Sequence, residues 1–169
     1  MSPCLAIYLA VCTPPVAADY PRDFPSKMSS IVGTGISPTE LACNDQLSKF
    51  VPADLNVKPT LPFADASFDY VTCVVSFDYL TQPLAVMKEV QRVLRPGGTV
   101  IISQSNRCFY TKAVSVWTRD MSDPAHLRVL STYVHFAGQS MGTPLVLEIT
   151  PKGPGVNDPM YIVQATKKA

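Results

Sequence analysis

The sequence predicts an α/β fold in which a mostly parallel sheet is flanked by helices and closed by an antiparallel C-terminal hairpin. Two observations carry that expectation. The first is the stretch 61–106, which reads as loop, buried strand, helix, glycine stop and second buried strand. Residues 68–75 and 99–102 are rich in the aromatic and β-branched types that suit a pleated, buried surface. Two such strands joined by a helix form a βαβ unit, whose strands run parallel and are covered by helices. The second observation is a pair of apolar or alternating segments, 145–150 and 161–166, joined by the Pro- and Gly-rich connection 151–159.

Taken in order, residues 5–11 form a short apolar run that reads as a first strand, closed by Pro14-Pro15. A signal-peptide core followed by Val16-Ala17-Ala18 is the competing reading, but no Lys or Arg precedes the run. Residues 29–32 read as a second strand ending in a turn at Gly33-Thr34-Gly35. Ser37, Pro38 and Glu40 form an N-cap, a first-turn proline and a capping-box acid for a short helix over 38–44. Residues 50–53 are the third strand, followed directly by Asp54-Leu55. The helix over 83–94 starts at a tolerated proline, Pro83, and turns Leu84, Met87, Val90 and Leu94 to one side. Val86 and Val93 widen that stripe, and Pro96-Gly97-Gly98 stops the helix. Further on, 114–117 reads as helical, and a helix capped by Asp123 with Pro124 first runs through Leu127, Leu130 and Val134 to Gly138.

The chain has 169 residues and a formal net charge of +1, with no basic patch and no acidic run. One domain over 1–169 is the expectation, with a core large enough to stand without staples. Near-neutral charge disfavours nucleic acid and an anionic membrane surface as partners, and no segment is long and apolar enough to span a bilayer. Lys167-Lys168 reads as a solvated tail. Five cysteines without a C-x-x-C pair argue against a disulfide framework and against a metal site. Reduced, buried thiols in an intracellular, cytoplasmic protein are the expectation. Oligomeric state is not legible.

Leu61-Pro62-Phe63, Ser67-Phe68-Asp69-Tyr70-Val71, Glu89-Val90 and Arg92-Val93-Leu94-Arg95-Pro96-Gly97-Gly98 agree in order, spacing and residue type with a known pattern. The stretch resembles class I S-adenosylmethionine-dependent methyltransferases of the type 11 group. The resemblance runs from about Ile31 to the C-terminus, where Asn106-Arg107-Cys108-Phe109 and Thr111-Lys112-Ala113 are similar to one branch of those proteins. Residues 1–30 match poorly. Such domains are usually somewhat longer, so the chain is expected to be short of material at its front. The resemblance implies a Rossmann-like fold, S-adenosyl-L-methionine as cofactor, and methyl transfer to a small-molecule acceptor.

It also implies a site along the carboxyl ends of the strands. In that family an acid and glycines follow the first strand; here Cys12 and Thr13 occupy the place, within Ala10-Val11-Cys12-Thr13-Pro14-Pro15. Glycine there lets the backbone approach a ligand closely, and proline removes a donor. An acid normally ends the second strand and receives the ribose hydroxyls; here Gly33, Thr34 and Gly35 stand there, or form a plain turn. Asp54 is placed against the adenine amino group with Leu55 over the ring, the alternative being that Asp54 only organises its turn toward Asn56. Main chain at Ser76 and Phe77 would lie close to the methionine moiety. Tyr79 either faces the ligand or packs beneath the helix, and Asp69 is structural.

Methyl transfer needs a base only when the acceptor begins protonated. His126 and His135 are the candidates, both among apolar neighbours, and neither is assigned a catalytic role. Two other readings stand beside the enzyme. One is a degenerate domain that keeps the fold and serves as an interaction or regulatory module, suggested by the poor front loop and the missing ribose acid. The other is a nucleotide-dependent oxidoreductase, whose glycine fingerprint after a first strand is absent.

Overall fold

The computed structural model describes residues 2–8, 21–105, 111–119, 122–150 and 158–169. Among these residues seven strands form one sheet in the order β3-β2-β1-β4-β5-β7-β6. They are β1 (Ser2–Tyr8), β2 (Met28–Gly35), β3 (Lys49–Pro52), β4 (Phe68–Val74), β5 (Leu94–Ser105), β6 (Leu145–Glu148) and β7 (Met160–Thr166). The helices are α1 (Phe24–Lys27), α2 (Pro38–Cys43), α3 (Pro83–Val93), α4 (Ser115–Thr118) and α5 (Asp123–Phe136). β1 to β5 pair in parallel, and β7 runs antiparallel to both β5 and β6. The mostly parallel sheet with a closing hairpin is therefore present. No helix among the described residues is long and apolar enough to cross a membrane.

Alternation along the strands sorts the two faces. Ile7, Val71, Cys73, Val100 and Ile102 meet Val86, Met87 and Val90 of α3 in one apolar cluster. Gly33 lies on the other face, where a Cβ would come within 2.5 Å of Leu47 Cδ1 and 3.2 Å of Leu41 Cδ2. Glycine at 33 is thus a packing requirement of α2 and the segment after it. α3 differs in rotation from the expected stripe. Leu84 is 37% exposed, whereas Val86, Met87, Val90 and Val93 are buried, so the inward face centres on the valines.

The glycine stop needs a correction. β5 runs through Pro96-Gly97-Gly98, and the register against β4 jumps from Phe68↔Leu94 to Tyr70↔Thr99. The extra residues make a bulge. Gly97 has φ +80, and a Cβ on Gly98 would lie 2.9 Å from the Arg95 carbonyl and 3.0 Å from that of Asp69. Both positions demand glycine, one for its dihedral and one for the close approach.

Lys167 is not a solvated tail. Its Nζ donates to the carbonyls of Gln91 and Leu94, each at 2.7 Å, and its backbone is paired with Gly97 and Gly98. A helix C-terminus presents unpaired carbonyls and a negative dipole end, and a lysine satisfies both. The turn expected at Gly33-Thr34-Gly35 is likewise corrected, since all three residues lie inside β2. Ser37 does cap α2, accepting from Glu40 N at 3.3 Å. Asp123 is the first residue of α5 rather than its cap, and its carboxylate accepts from Tyr161 OH at 3.1 Å. Of the first-strand expectation over 5–11, residues 9–11 lie outside the described residues, as do Asn106, Arg107, Cys108 and Phe109.

Leu94 is fully buried at the junction of α3 and β5. Leu94→Ala should lower unfolding stability by about 2–5 kcal/mol, the usual range for a large-to-small change in a core. Denaturant titration checks this, and an unchanged midpoint would mean the junction is not part of the core.

Candidate functional site at the carboxyl edge of the sheet

The strand order reverses direction between β1 and β4, and in open α/β sheets that switch point is where ligands bind, outside the carboxyl ends. The ends come together in register. Gly35 pairs with Tyr8 on one side and Pro52 on the other, and Ala53 N donates to Gly35 O at 2.8 Å. Ile7 pairs with Cys73, one residue before the last of β4.

Beyond β4 the chain turns sharply. Val75 has φ +37, a left-handed conformation that a β-branched residue adopts only under constraint. Its N–H donates to Ser103 O at 3.1 Å and Ser103 Oγ at 3.2 Å, which ties the turn to β5. Ser76 Oγ donates to Val74 O at 2.7 Å. A 3-10 turn, Phe77–Tyr79, follows. Asn56 then locks this segment to the loop after β3. Its Nδ2 donates to Tyr79 O at 3.0 Å, and its Oδ1 accepts from Thr81 N at 2.8 Å.

Several expected site residues have their side chains committed elsewhere. The Thr34 hydroxyl, fully buried, donates to Val51 O at 2.8 Å. Leu55 is fully buried in the apolar core, and Phe77 packs against Trp117 and Tyr133 at ring separations of 6.3 and 5.9 Å. Tyr79 is buried in that core too. Asp54 Oδ1 accepts from Asn56 N at 2.9 Å and Val57 N at 3.3 Å, so it does organise its own turn, while Oδ2 takes no bond from the described residues. What the fold assembles on one edge is therefore the main chain of Gly35, Ser76 and Phe77 together with one carboxylate oxygen of Asp54. Cys12 and Thr13 lie outside the described residues.

One residue at this edge was not singled out from sequence. Asp78 is 1% exposed, and its Oδ1 has no hydrogen-bond partner. Burial pushes its carboxyl up to about 6. The nearby Cys73 thiol is pushed up to about 12, by burial first and then by the Asp78 charge, and is therefore an inert neutral group. A buried carboxylate oxygen without a partner is costly for a fold and is common where a cationic or proton-donating ligand completes the shell. The available signal was an acid inside the mostly apolar run Val74 to Leu80.

Comparison with known proteins agrees with this architecture. The model of a family described as a methyltransferase domain matches residues 16–102, just over half of the chain. The match begins ahead of Ile31, so part of the poorly matched front is covered, and it stops at Ile102. A sterol 4-C-methyltransferase of Caenorhabditis elegans is 34% identical over 89 residues, which is 47% of this chain and 25% of that protein. The chain thus spans about a quarter of the length of that relative. Among solved structures, the cyclase SpnF superposes with a TM-score of 0.66 at 16% identity, covering 99% of this chain and 76% of its own. A phosphoethanolamine N-methyltransferase 2 of Haemonchus contortus, in complex with S-adenosyl-L-methionine, gives 0.64 at 15% identity, covering 99% and 49%. At such identities these two structures establish the fold.

The Asp78 environment has a measurable signature. Its folded-state carboxyl titrates above the ordinary value of 3.8, so the folded state holds a proton that the unfolded chain releases. Stability from this group is present below pH 4 and is lost as pH rises through about 6. The loss should be about 2–3 kcal/mol between those limits. Urea titration across that range should show the decline in the unmodified chain and not in Asp78→Asn. An equal slope in both would remove Asp78 as its source.

Proposed function

The chain belongs to this methyltransferase-domain family, and from that premise we propose that it transfers a methyl group from S-adenosyl-L-methionine to a small-molecule acceptor. The observation that carries the reading is the set of acceptors along the carboxyl edge of the sheet: Asp54 Oδ2 after β3 and the orphaned Asp78 Oδ1 beyond β4. Acceptors without donors of their own fit a ligand rich in N–H groups and positive charge.

Asp54 would accept from the adenine amino group, and the backbone at Gly35 would lie by the ribose. The main chain at Ser76 and Phe77, with Asp78 behind it, would face the methionine end. Cys12 and Thr13 keep their assignment to the front loop. The cofactor supplies a sulfonium-bound methyl; the chain's own residues have to orient both partners and exclude water, which is where much of the rate arises. Asn56, by joining the loops after β3 and β4, holds two of these groups at a fixed separation. The buried thiols of Cys4 and Cys73, neither in a disulfide, favour a reducing, cytoplasmic setting. No comparison favours the non-catalytic alternative.

Calorimetric titration with S-adenosylhomocysteine tests the proposal. Asp54→Asn keeps an oxygen for the turn and removes the charge. It should weaken binding about tenfold, as expected for one hydrogen bond to a charged acceptor. No heat at millimolar ligand with folded protein would overturn the cofactor reading.

A further inference from the structure

The two edges of the sheet are built differently. β3, at one edge, carries Lys49 and Pro52 among its four residues, a charge and a missing donor that discourage further pairing. β6, at the other, reads Leu-Val-Leu-Glu, and all four residues are exposed. Among the described residues eleven large apolar side chains are exposed, and Leu145, Val146, Leu147 and Ile149 bring four of them into one short run. Exposed apolar residues scattered singly need no explanation, whereas a run of them along an unpaired strand edge does.

The ladder between β6 and β7 fixes what this edge offers. Ile149 N–H donates to Met160 O at 2.8 Å, so Leu145, Leu147 and Ile149 turn their backbone groups inward, to β7. Val146 and Glu148 therefore turn theirs outward, where no strand among the described residues meets them. Val146 pairs with Val163, a member of the apolar cluster beneath α3. Alternation then puts the side chains of Leu145, Leu147 and Ile149 on the opposite face of the sheet, where Leu147 lies beside the half-buried Ile162.

We propose that β6 pairs antiparallel with β6 of a second copy of this chain, about a two-fold axis at Leu147, so that the two sheets become one. In that register Leu147 meets the partner's Leu147, Leu145 meets the partner's Ile149, and Ile149 meets the partner's Leu145. The run is complementary to itself, as a two-fold interface requires. Val146 and the partner's Glu148 exchange backbone N–H and C=O bonds, and the axis repeats them. The three apolar pairs are then of the non-hydrogen-bonded kind, with Cα atoms only about 4.5 Å apart. A shift of the axis by one residue one way sets Glu148 against the partner's Glu148, two like charges. The same shift the other way leaves Ile149 opposite the partner's Thr143. A strand pair this short buries less than the roughly 1,200 Å² of a stable interface, so the dimer is reversible.

Sedimentation velocity over a range of concentrations of the purified chain tests the proposal, and should show monomer giving way to dimer as concentration rises. Val146→Pro removes only an outward-facing donor, and Leu147→Lys sets two positive charges against each other on the axis. Each should weaken association at least tenfold and leave the unfolding midpoint of the monomer unchanged. Leu147→Glu alone should do the same, but an equal mixture of the Leu147→Lys and Leu147→Glu chains should dimerise again, because only a residue on the axis faces itself. A chain that stays monomeric throughout, the result expected if another stretch of this chain covers β6, overturns the proposal. So does a dimer that survives both Val146→Pro and Leu147→Lys, or a mixture of the charged variants that stays monomeric.

Discussion

Arg92 is the constraint on which the parallel half of the sheet depends. All five of its N–H donors are used. Nε and Nη2 meet the two oxygens of Glu89 at 2.9 and 2.7 Å, Nη1 meets Asp65 at 2.6 Å, and the carbonyls of Phe63 and Leu61 take the rest at 2.8 and 2.9 Å. Glu89 Oε2 also accepts from Leu61 N at 3.0 Å. Hydrogen bonding to Glu89 raises the Arg92 guanidinium further above its usual range, and the same contact holds the Glu89 carboxyl below its own. The side chains are partly exposed, so the charge term alone is modest. The geometry matters more. One planar fork clamps the loop before β4 onto the helix after it, which fixes where β4 enters the sheet and hence where it leaves. Arg95, at the start of β5, repeats the device, reaching Asp69 at 3.2 Å.

From that clamp the constraints run toward the carboxyl edge. β4 leaves the sheet through Val75, held in a left-handed conformation by Ser103, and Asn56 then ties the next turn to the loop after β3. Backbone strain persists only where the surroundings over-determine it, and here two loops and a neighbouring strand do so. Beside this strained turn lie the buried polar atoms that the fold itself leaves unsatisfied. Polar atoms deep in the remainder of the sheet have partners, as Thr34 and Thr72 illustrate. Among the described residues, cost without local compensation thus lies near the edge where strand topology places ligands.

Elements whose physics is local were legible in the sequence. The helix over 83–94 followed from its stripe and its proline, and β4 from its β-branched content. The family motif was legible as well, although its charged members prove to be the Arg92 and Arg95 clamps rather than ligand contacts. Properties set by tertiary pairing were not legible. Nothing local tells that Thr34 will sit inside a strand and spend its hydroxyl on Val51, or that Lys167 will fold back onto the end of α3. Leu84 fits the helical period as well as Val86 does, and only the sheet decides which one faces inward. Gln104 lies beyond the strand expected over 99–102, and only the extension of β5 to Ser105 brings it into the interior. Asp54 had two readings, and its turn-forming oxygen satisfies one while its second oxygen leaves room for the other.

The central claim is that ligand recognition lies along the carboxyl ends of β1 to β4. It is tested most directly by mapping amide chemical shifts of the ¹⁵N-labelled chain as S-adenosylhomocysteine is added. The account predicts that the largest changes fall at Gly35, at Asp54 and at Ser76 through Asp78, with β6 and the α2 surface unmoved. Changes centred on the β6–β7 hairpin, with that edge silent, would contradict it.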